Sequence, residues 1–295
     1  MAVFQAISQP PVTRRRFLKA SAGGALGLAL YSGEIARHWI DVTYLDFGLP
    51  GLNHAFDGMR IVQLSDIHLD DFTEPFFLRH VVTVVNQLRP EAVFLTGDFV
   101  SEGFVSRNYS VEAAWLCGSI LRELDCKDRY AVMGNHDIGV GAQKVTAALR
   151  ENGTAVLRNS FVPIERGGAR FWLAGVDDPV NGEPDPEKTI PAAIRNVAHE
   201  PVVLLCHAPD YADTLLKLPS GQAASLMLSG HTHGGQVRLP LLGAMELPPM
   251  GQKYVKGLFR LGNMQLYVNR GIGTIGVPFR LNCPPEITVL TLRAA

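Results

Sequence analysis

Cysteine is scarce in this chain, and its cysteines are not spaced to work together. Cys117, Cys126, Cys206 and Cys283 are the four in 295 residues, and none forms a CxxC pair. A zinc ribbon or a thioredoxin-like motif is therefore unsupported. Cys117 and Cys126 flank the end of one expected helix and Cys206 lies in an apolar run, so ordinary half-buried thiols are expected. Spacing alone leaves a disulfide open. An excess of charge of one sign is also missing: 27 Lys and Arg stand against 28 Asp and Glu, and no basic run occurs beyond the N-terminus. A non-specific nucleic-acid binder presents a cationic face, so no nucleic-acid partner is expected. Internal repeats and low-complexity tracts are absent. What remains, 47% hydrophobic and 19% charged, suits a globular protein with a sizeable core.

Residues 13–19 read TRRRFLK and lead into ASAGGALGLALYSG. Paired arginines, Phe-Leu-Lys and a short Gly/Ala-rich run resemble a twin-arginine export leader. The apolar stretch from Ala20 to Tyr31 is shorter than the ~20 residues that span a bilayer core, and its glycines argue against a stable helix. The resemblance implies the twin-arginine translocase as a partner and the periplasm or cell envelope as destination. No small-x-small triplet follows the apolar run. Removal after residues 29–33 and retention as a membrane tether both stay open. Residues 1–50 are set aside as leader and flank, and 51–295 as one domain.

From Met59 the chain alternates between β-branched runs and helical periodicity. MRIVQLSD, EAVFLTGD and RYAVMGNHD read as strands; EPFFLRHVVTVVNQLRP, SVEAAWLCGSILREL and AQKVTAALREN read as helices. Such repeats argue for a parallel core sheet with crossover helices. Past Gly153, the runs RFWLAGV and PVVLLCH mix with hairpin-like pieces, YVKGLFRLG and MQLYVNRG, and EITVLTL closes the chain. A second, mixed or antiparallel sheet packed on the first is expected.

The ends of these runs carry the chemistry. They finish in Ser65-Asp66-Ile67-His68, Thr96-Gly97-Asp98, Gly134-Asn135-His136-Asp137, Cys206-His207-Ala208-Pro209 and Gly230-His231-Thr232-His233. In open α/β sheets the carboxyl ends of strands form the ligand crevice. One such ending reads equally well as a solvated loop; five in succession do not, since loops also end in Ser, Lys or Glu. Oxygen and imidazole donors without thiolates suit Mn²⁺, Fe and Zn²⁺ rather than a structural zinc site. Seven candidates exceed the needs of one ion and match two ions sharing a carboxylate.

The set DIH, GD, GNHD, H and GHTH resembles the calcineurin-like metallophosphoesterase family, over about residues 59–293. With the leader, GHTHGGQ and NRGIG…RLNCPPEI, it resembles the exported bacterial phosphodiesterase branch, the YaeI/YkuE-like proteins. The resemblance implies an α/β, four-layer α/β/β/α sandwich of two mixed β-sheets flanked by helices. It implies one metal held by Asp66, His68 and His233 and a second held by Asn135, His207 and His231, with Asp98 bridging both. Two divalent cations are implied, Mn favoured over Fe or Zn. The implied reaction is hydrolysis of a phosphodiester by a metal-bridging hydroxide, with His136 facing the leaving group. Many relatives carry Asp three residues after the bridging Asp; here Ser101 stands there, followed by Glu102.

Other residues divide more evenly. Gln236 shapes the pocket or serves a turn, and Arg270 contacts a substrate phosphate or is a surface cation. Asp70, Asp71, Asp177 and Asp178 read as solvated loop carboxylates, and His38, His54, His80 and His199 as surface or satisfied histidines. The apolar segment RLPLLGAMELPPMGQ packs in the core or forms a lip that meets a lipid surface. Two alternatives to the phosphodiesterase stay open. One is a pyrophosphohydrolase acting on a lipid-linked nucleotide sugar such as UDP-2,3-diacylglucosamine. The other is a non-catalytic metal or cell-envelope binding protein.

Overall fold

The computed structural model describes residues 13–69, 72–103, 107–197 and 199–295. The chain runs through α1 (Arg14–Leu30), β1 (Asp41–Leu49), β2 (Arg60–Leu64), α2 (Pro75–Leu88), β3 (Ala92–Leu95), α3 (Arg107–Leu121), β4 (Arg129–Ala131), α4 (Asn135–Glu151) and β5 (Ala155–Val156). It continues with β6 (Ser160–Arg166), β7 (Ala169–Gly175), β8 (Val202–Leu205), β9 (Ala224–Ser229), β10 (Arg238–Leu239), β11 (Gly243–Ala244), β12 (Gly257–Leu261), β13 (Met264–Val268) and β14 (Glu286–Ala294). Two six-stranded mixed sheets result, ordered β1-β14-β2-β3-β4-β5 and β12-β13-β9-β8-β7-β6.

Period-two burial builds the layers. In β2, Ile61 faces the space between the sheets while Val62 and Leu64 face the helices. In β9, Leu226 and Leu228 face the first sheet and Met227 the opposite side. Pro75 opens α2, and Phe77, Leu78, Val81, Val82 and Val85 form its buried stripe. Arg89, in the left-handed region just before Pro90, ends it. With α3 and α4, α2 covers the outer face of the first sheet. Short helical turns holding Ile190, Ile194, Tyr211 and Leu215 cover the second. Gln63 ties the layers beneath the site, its amide donating to Thr96 Oγ1 (3.1 Å) and to the Ser229 carbonyl (3.0 Å).

Three expectations need correction. The segment set aside as 1–50 includes part of the fold: β1 pairs along its whole length, in parallel, with β14. Upstream of it, the Arg37 guanidinium binds Glu74 and the Phe72 carbonyl, and Arg280 N donates to Ser32 O (3.0 Å). The glycines also do not prevent a helix: Thr13 caps α1 through Arg16 N, and Ala, Leu and Arg outweigh the three glycines. No residue of α1 is buried, and no described helix is long and apolar enough to cross a membrane. Finally, Asp177 and Asp178 are buried rather than solvated, because partners are at hand. Arg158 clasps Asp177 (2.9 and 2.6 Å), and the N–H groups of Val180 and Asn181 reach Asp178 Oδ2 (3.0 and 2.6 Å). Asp70 and Asp71 lie outside the described residues. All four cysteines are free thiols.

Candidate metal centre

Every strand that feeds the site delivers its polar residue at a carboxyl end, where the backbone leaves the sheet. Asp66, His68, Asp98, His231 and His233 all have φ between 47° and 73°. Asp and His tolerate this left-handed region better than branched residues, yet it costs about 1–3 kcal/mol each, and such strain concentrates at functional sites. Close approach also dictates Gly134 and Gly230. A Cβ on the first would lie 2.1 Å from Asp98 Oδ1, and on the second 1.8 Å from Ser65 Oγ.

Two sets of ligand atoms converge, Asp66 with His68 and His233, and Asp98 with His207 and His231. In the first, His68 Nε2 is 3.1 Å from His233 Nε2, which is 3.5 Å from Asp66 Oδ1. In the second, His207 Nε2 is 3.2 Å from His231 Nδ1. Asp98 Oδ2 joins them, 3.6 Å from His68 Nε2 and 3.1 Å from His207 Nε2.

The far sides of the rings fix which nitrogen faces inward. His207 Nδ1 meets the Thr96 carbonyl (2.6 Å) and His231 Nε2 the Pro249 carbonyl (2.7 Å). A carbonyl only accepts, so those nitrogens carry protons, and in the neutral ring the inward nitrogen keeps its lone pair. Burial pushes His68 down to about 3 and His231 to about 4, and holds His233 well below its ordinary value. These are neutral imidazoles, the ligating form. His207 differs. Burial opposes its charge, but Asp98 outweighs burial and raises it to about 10. Burial pushes the Asp66 carboxyl up to about 6, with the Asp98 charge adding to the effect.

This donor set fits divalent cations. Asn135 Oδ1 is buried beside the site without a hydrogen-bond partner among the described residues, an arrangement that costs free energy unless a donor or a cation meets its lone pairs.

Residues 59–235 match the calcineurin-like phosphoesterase family. The chain is 32% identical to the uncharacterized metallophosphoesterase YkuE of Bacillus subtilis, over 96% of this chain and 98% of that one. It is also 32% identical to phosphodiesterase YaeI of Escherichia coli, over 95% and 99%. This chain belongs to the calcineurin-like phosphoesterase family. It is a hydrolase of phosphoric esters with a candidate dinuclear metal site. Its fold is shared, at TM-score 0.50 and 14% identity, with a dimetal phosphatase from Danio rerio, covering 73% of this chain and 88% of that one.

The phosphoesterase site opens into a cavity of about 330 Å³ lined on one side by Asp98, Asn135, His136, His231 and His233. His136 stands on the first turn of α4, edge-on to His68. The Glu102 backbone N–H donates to His136 Nδ1 (2.9 Å). A backbone amide cannot accept, so the neutral ring carries its proton on Nε2. The backbone of Glu102, not its carboxylate, thus orients His136, while Ser101 Oγ lies 3.0 Å from His68 Nδ1.

Two further residues stand differently from a substrate contact. Gln236 spends its amide on the loop opposite, donating to the carbonyls of Ile275 and Val277 (3.0 Å each) and accepting from Ile275 N (2.9 Å). It lines and shapes the cavity. Arg270 does not line it. Glu286 (2.8 Å) and Asp41 (2.7 Å) hold its guanidinium on the β1–β14 side.

Sequence reading missed three positioning groups. The Asp137 carboxylate accepts from the N–H of Asp98 (2.8 Å), Phe99 (2.9 Å) and Gly134 (3.0 Å), clamping the β3 loop to the start of α4. An acid three residues into a helix opening at Gly134 was the available signal. Asp178 holds the turn from which Asn181 Nδ2 donates to the Asn135 carbonyl (3.1 Å). Arg280 is fully buried and binds the carbonyls of Arg270, Gly273 and Cys283, with Nη2 3.5 Å from His233 Nδ1. Nothing in its local sequence signals that burial.

Proposed function

We propose that this phosphoesterase is a dinuclear-metal phosphodiesterase. The observation that carries the reading is Asp98 Oδ2, within reach of both His68 and His207, which turns two ligand sets into one centre. Asp66, His68 and His233 would hold one cation, and Asn135, His207 and His231 the other. Bound there, divalent cations lower the pKa of water and neutralise phosphoryl oxygens. The chain's own residues do the rest. His136 offers the proton on Nε2 to the departing oxygen, and Glu102 N fixes the ring in that tautomer. Asp137 holds Asp98 and Asn135 in register, and Gln236 shapes the opposite side of the cavity. Mn²⁺ is the proposed ion, on the oxygen-and-imidazole donor set.

We further propose export by the twin-arginine route to the cell envelope. Arg14, Arg15, Arg16, Phe17 and Leu18 at the head of the exposed α1 support it. Contact with a membrane surface is supported by Leu241, Leu242 and Met245, which are exposed near the mouth of the cavity. A pure binding protein has no use for His136 in a donor tautomer, and a nucleotide-sugar pyrophosphohydrolase has less support, since no lysine or arginine lines the cavity among the described residues.

Turnover of bis(p-nitrophenyl) phosphate tests the reading. Metal-depleted protein should be inactive and Mn²⁺ should restore hydrolysis. Asp98→Asn should lose at least about a thousandfold in kcat, as removal of a unit that organises the whole site does. Full turnover by metal-free Asp98→Asn protein would refute it.

A further inference from the structure

The side of the cavity facing the ligands is chemically one-sided. Beside Gln236, whose amide is spent on the Ile275–Val277 loop, Val237, Met245, Pro248, Ile275 and Val277 supply its side chains, and Glu246 is the one charged residue there among the described residues. No lysine or arginine lines the cavity among those residues. The nearby cations are engaged elsewhere: Arg238 Nη1 donates to the Gly234 carbonyl (2.9 Å), Arg270 pairs with Glu286 and Asp41, and Arg280 is buried among carbonyls. Glu246 has no hydrogen-bond or ion-pair partner among the described residues, so its charge faces the opening uncompensated. The apolar surface runs on to the β10–β11 tip, where Leu241 and Leu242 are exposed.

Sites built for nucleotides or pyrophosphates supply Arg, Lys or backbone nests to each phosphate. Here only the ligand centre is suited to an anion. A second phosphate would have to lie against aliphatic side chains or beside Glu246, desolvated and repelled. An alkyl or aryl group would instead displace water from an apolar surface.

Resting on the phosphodiesterase reading above, we propose that the cavity selects singly charged phosphodiesters with one apolar ester group lying along Met245, Ile275 and Val277, and that Glu246 rejects substrates carrying a second phosphate. Hydrolysis breaks one P–O bond. The water oxygen joins phosphorus, one water proton goes to the departing oxygen, and an alcohol and a phosphomonoester result.

The test compares methyl and hexyl p-nitrophenyl phosphate and diadenosine pyrophosphate as substrates of the Mn²⁺-loaded full chain. The hexyl diester should exceed the methyl by at least about tenfold in kcat/KM, as several methylenes against an apolar surface allow, and should exceed the pyrophosphate by more. Glu246→Lys should shift the pyrophosphate-to-hexyl ratio at least about tenfold toward the pyrophosphate, the sign Coulomb attraction requires. Calorimetric binding of methyl- and hexylphosphonate reads the same preference without turnover. Equal values for both chain lengths, or an unchanged ratio in Glu246→Lys, would overturn this proposal while leaving the phosphodiesterase intact. Chain-length-dependent binding with no diester hydrolysed under any metal would instead overturn the phosphodiesterase reading and spare the preference.

Discussion

His136 and Asp98 are joined by a hydrogen bond, the His136 N–H donating to Asp98 Oδ1 (3.0 Å), yet their losses should look different. A proton donor matters in proportion to the basicity of what departs. His136→Gln should lower kcat by about 10²–10⁴ for diesters losing an alkyl alcohol, and far less for those losing p-nitrophenol. Equal losses on both would remove the proton-donor role. Away from the metals, burial opposes the charge of Glu286, but Arg270 outweighs it and holds the carboxyl below the usual range. A depressed carboxyl adds stability above its unfolded value, about 4.3, and loses it as pH falls through the folded one. Glu286→Gln should be less stable by about 3 kcal/mol at neutral pH, since it strands Arg270. That gap should close toward pH 3, as urea unfolding of both proteins would report. Residues whose chemistry demands a type at a strand end, such as Asp66 or His233, were legible in the sequence. Glu286 and Arg280 were not, because a buried charge is intelligible only once its distant partners are known.

At the level of elements, strands and helices from Met59 to Glu151 were legible because β2 and β3 are short apolar runs buried almost throughout, while the buried residues of α2 recur at a helical period. The boundary of the fold was not. β1 lies on a sheet edge with a half-exposed pattern, and only its pairing with β14 reveals it as part of the first sheet. The turns that carry the ligands depend on clamps across elements. Asp137 is the clearest: one carboxylate binds backbone donors from two loops. Asp137→Asn points an amide donor at those N–H groups. It should weaken Mn²⁺ binding by about 10–100-fold, as loss of ligand support commonly does, and lower stability by about 2 kcal/mol. Unchanged calorimetric affinity would mean that the β3 loop holds Asp98 without it.

For the whole molecule, five strained positions at the candidate centre and a buried Asn135 Oδ1 with no partner among the described residues predict that bound cations would contribute to folding as well as to chemistry. Mn²⁺ at a hundredfold excess over its Kd should stabilise the native state by about 2.7 kcal/mol per site. That should raise Tm by roughly 5–10 °C, reversed by chelation. A Tm indifferent to Mn²⁺ and chelator would deny the centre its ions. Topology sets another condition on this fold. β14 lies between β1 and β2 and is the only partner β1 has in the sheet among the described residues. During synthesis β1 must therefore wait, unpaired in this sheet, until β14 far downstream has been made. Until β14 slides into its slot between β1 and β2, the first sheet is open at that place and β1 has nowhere in it to lie.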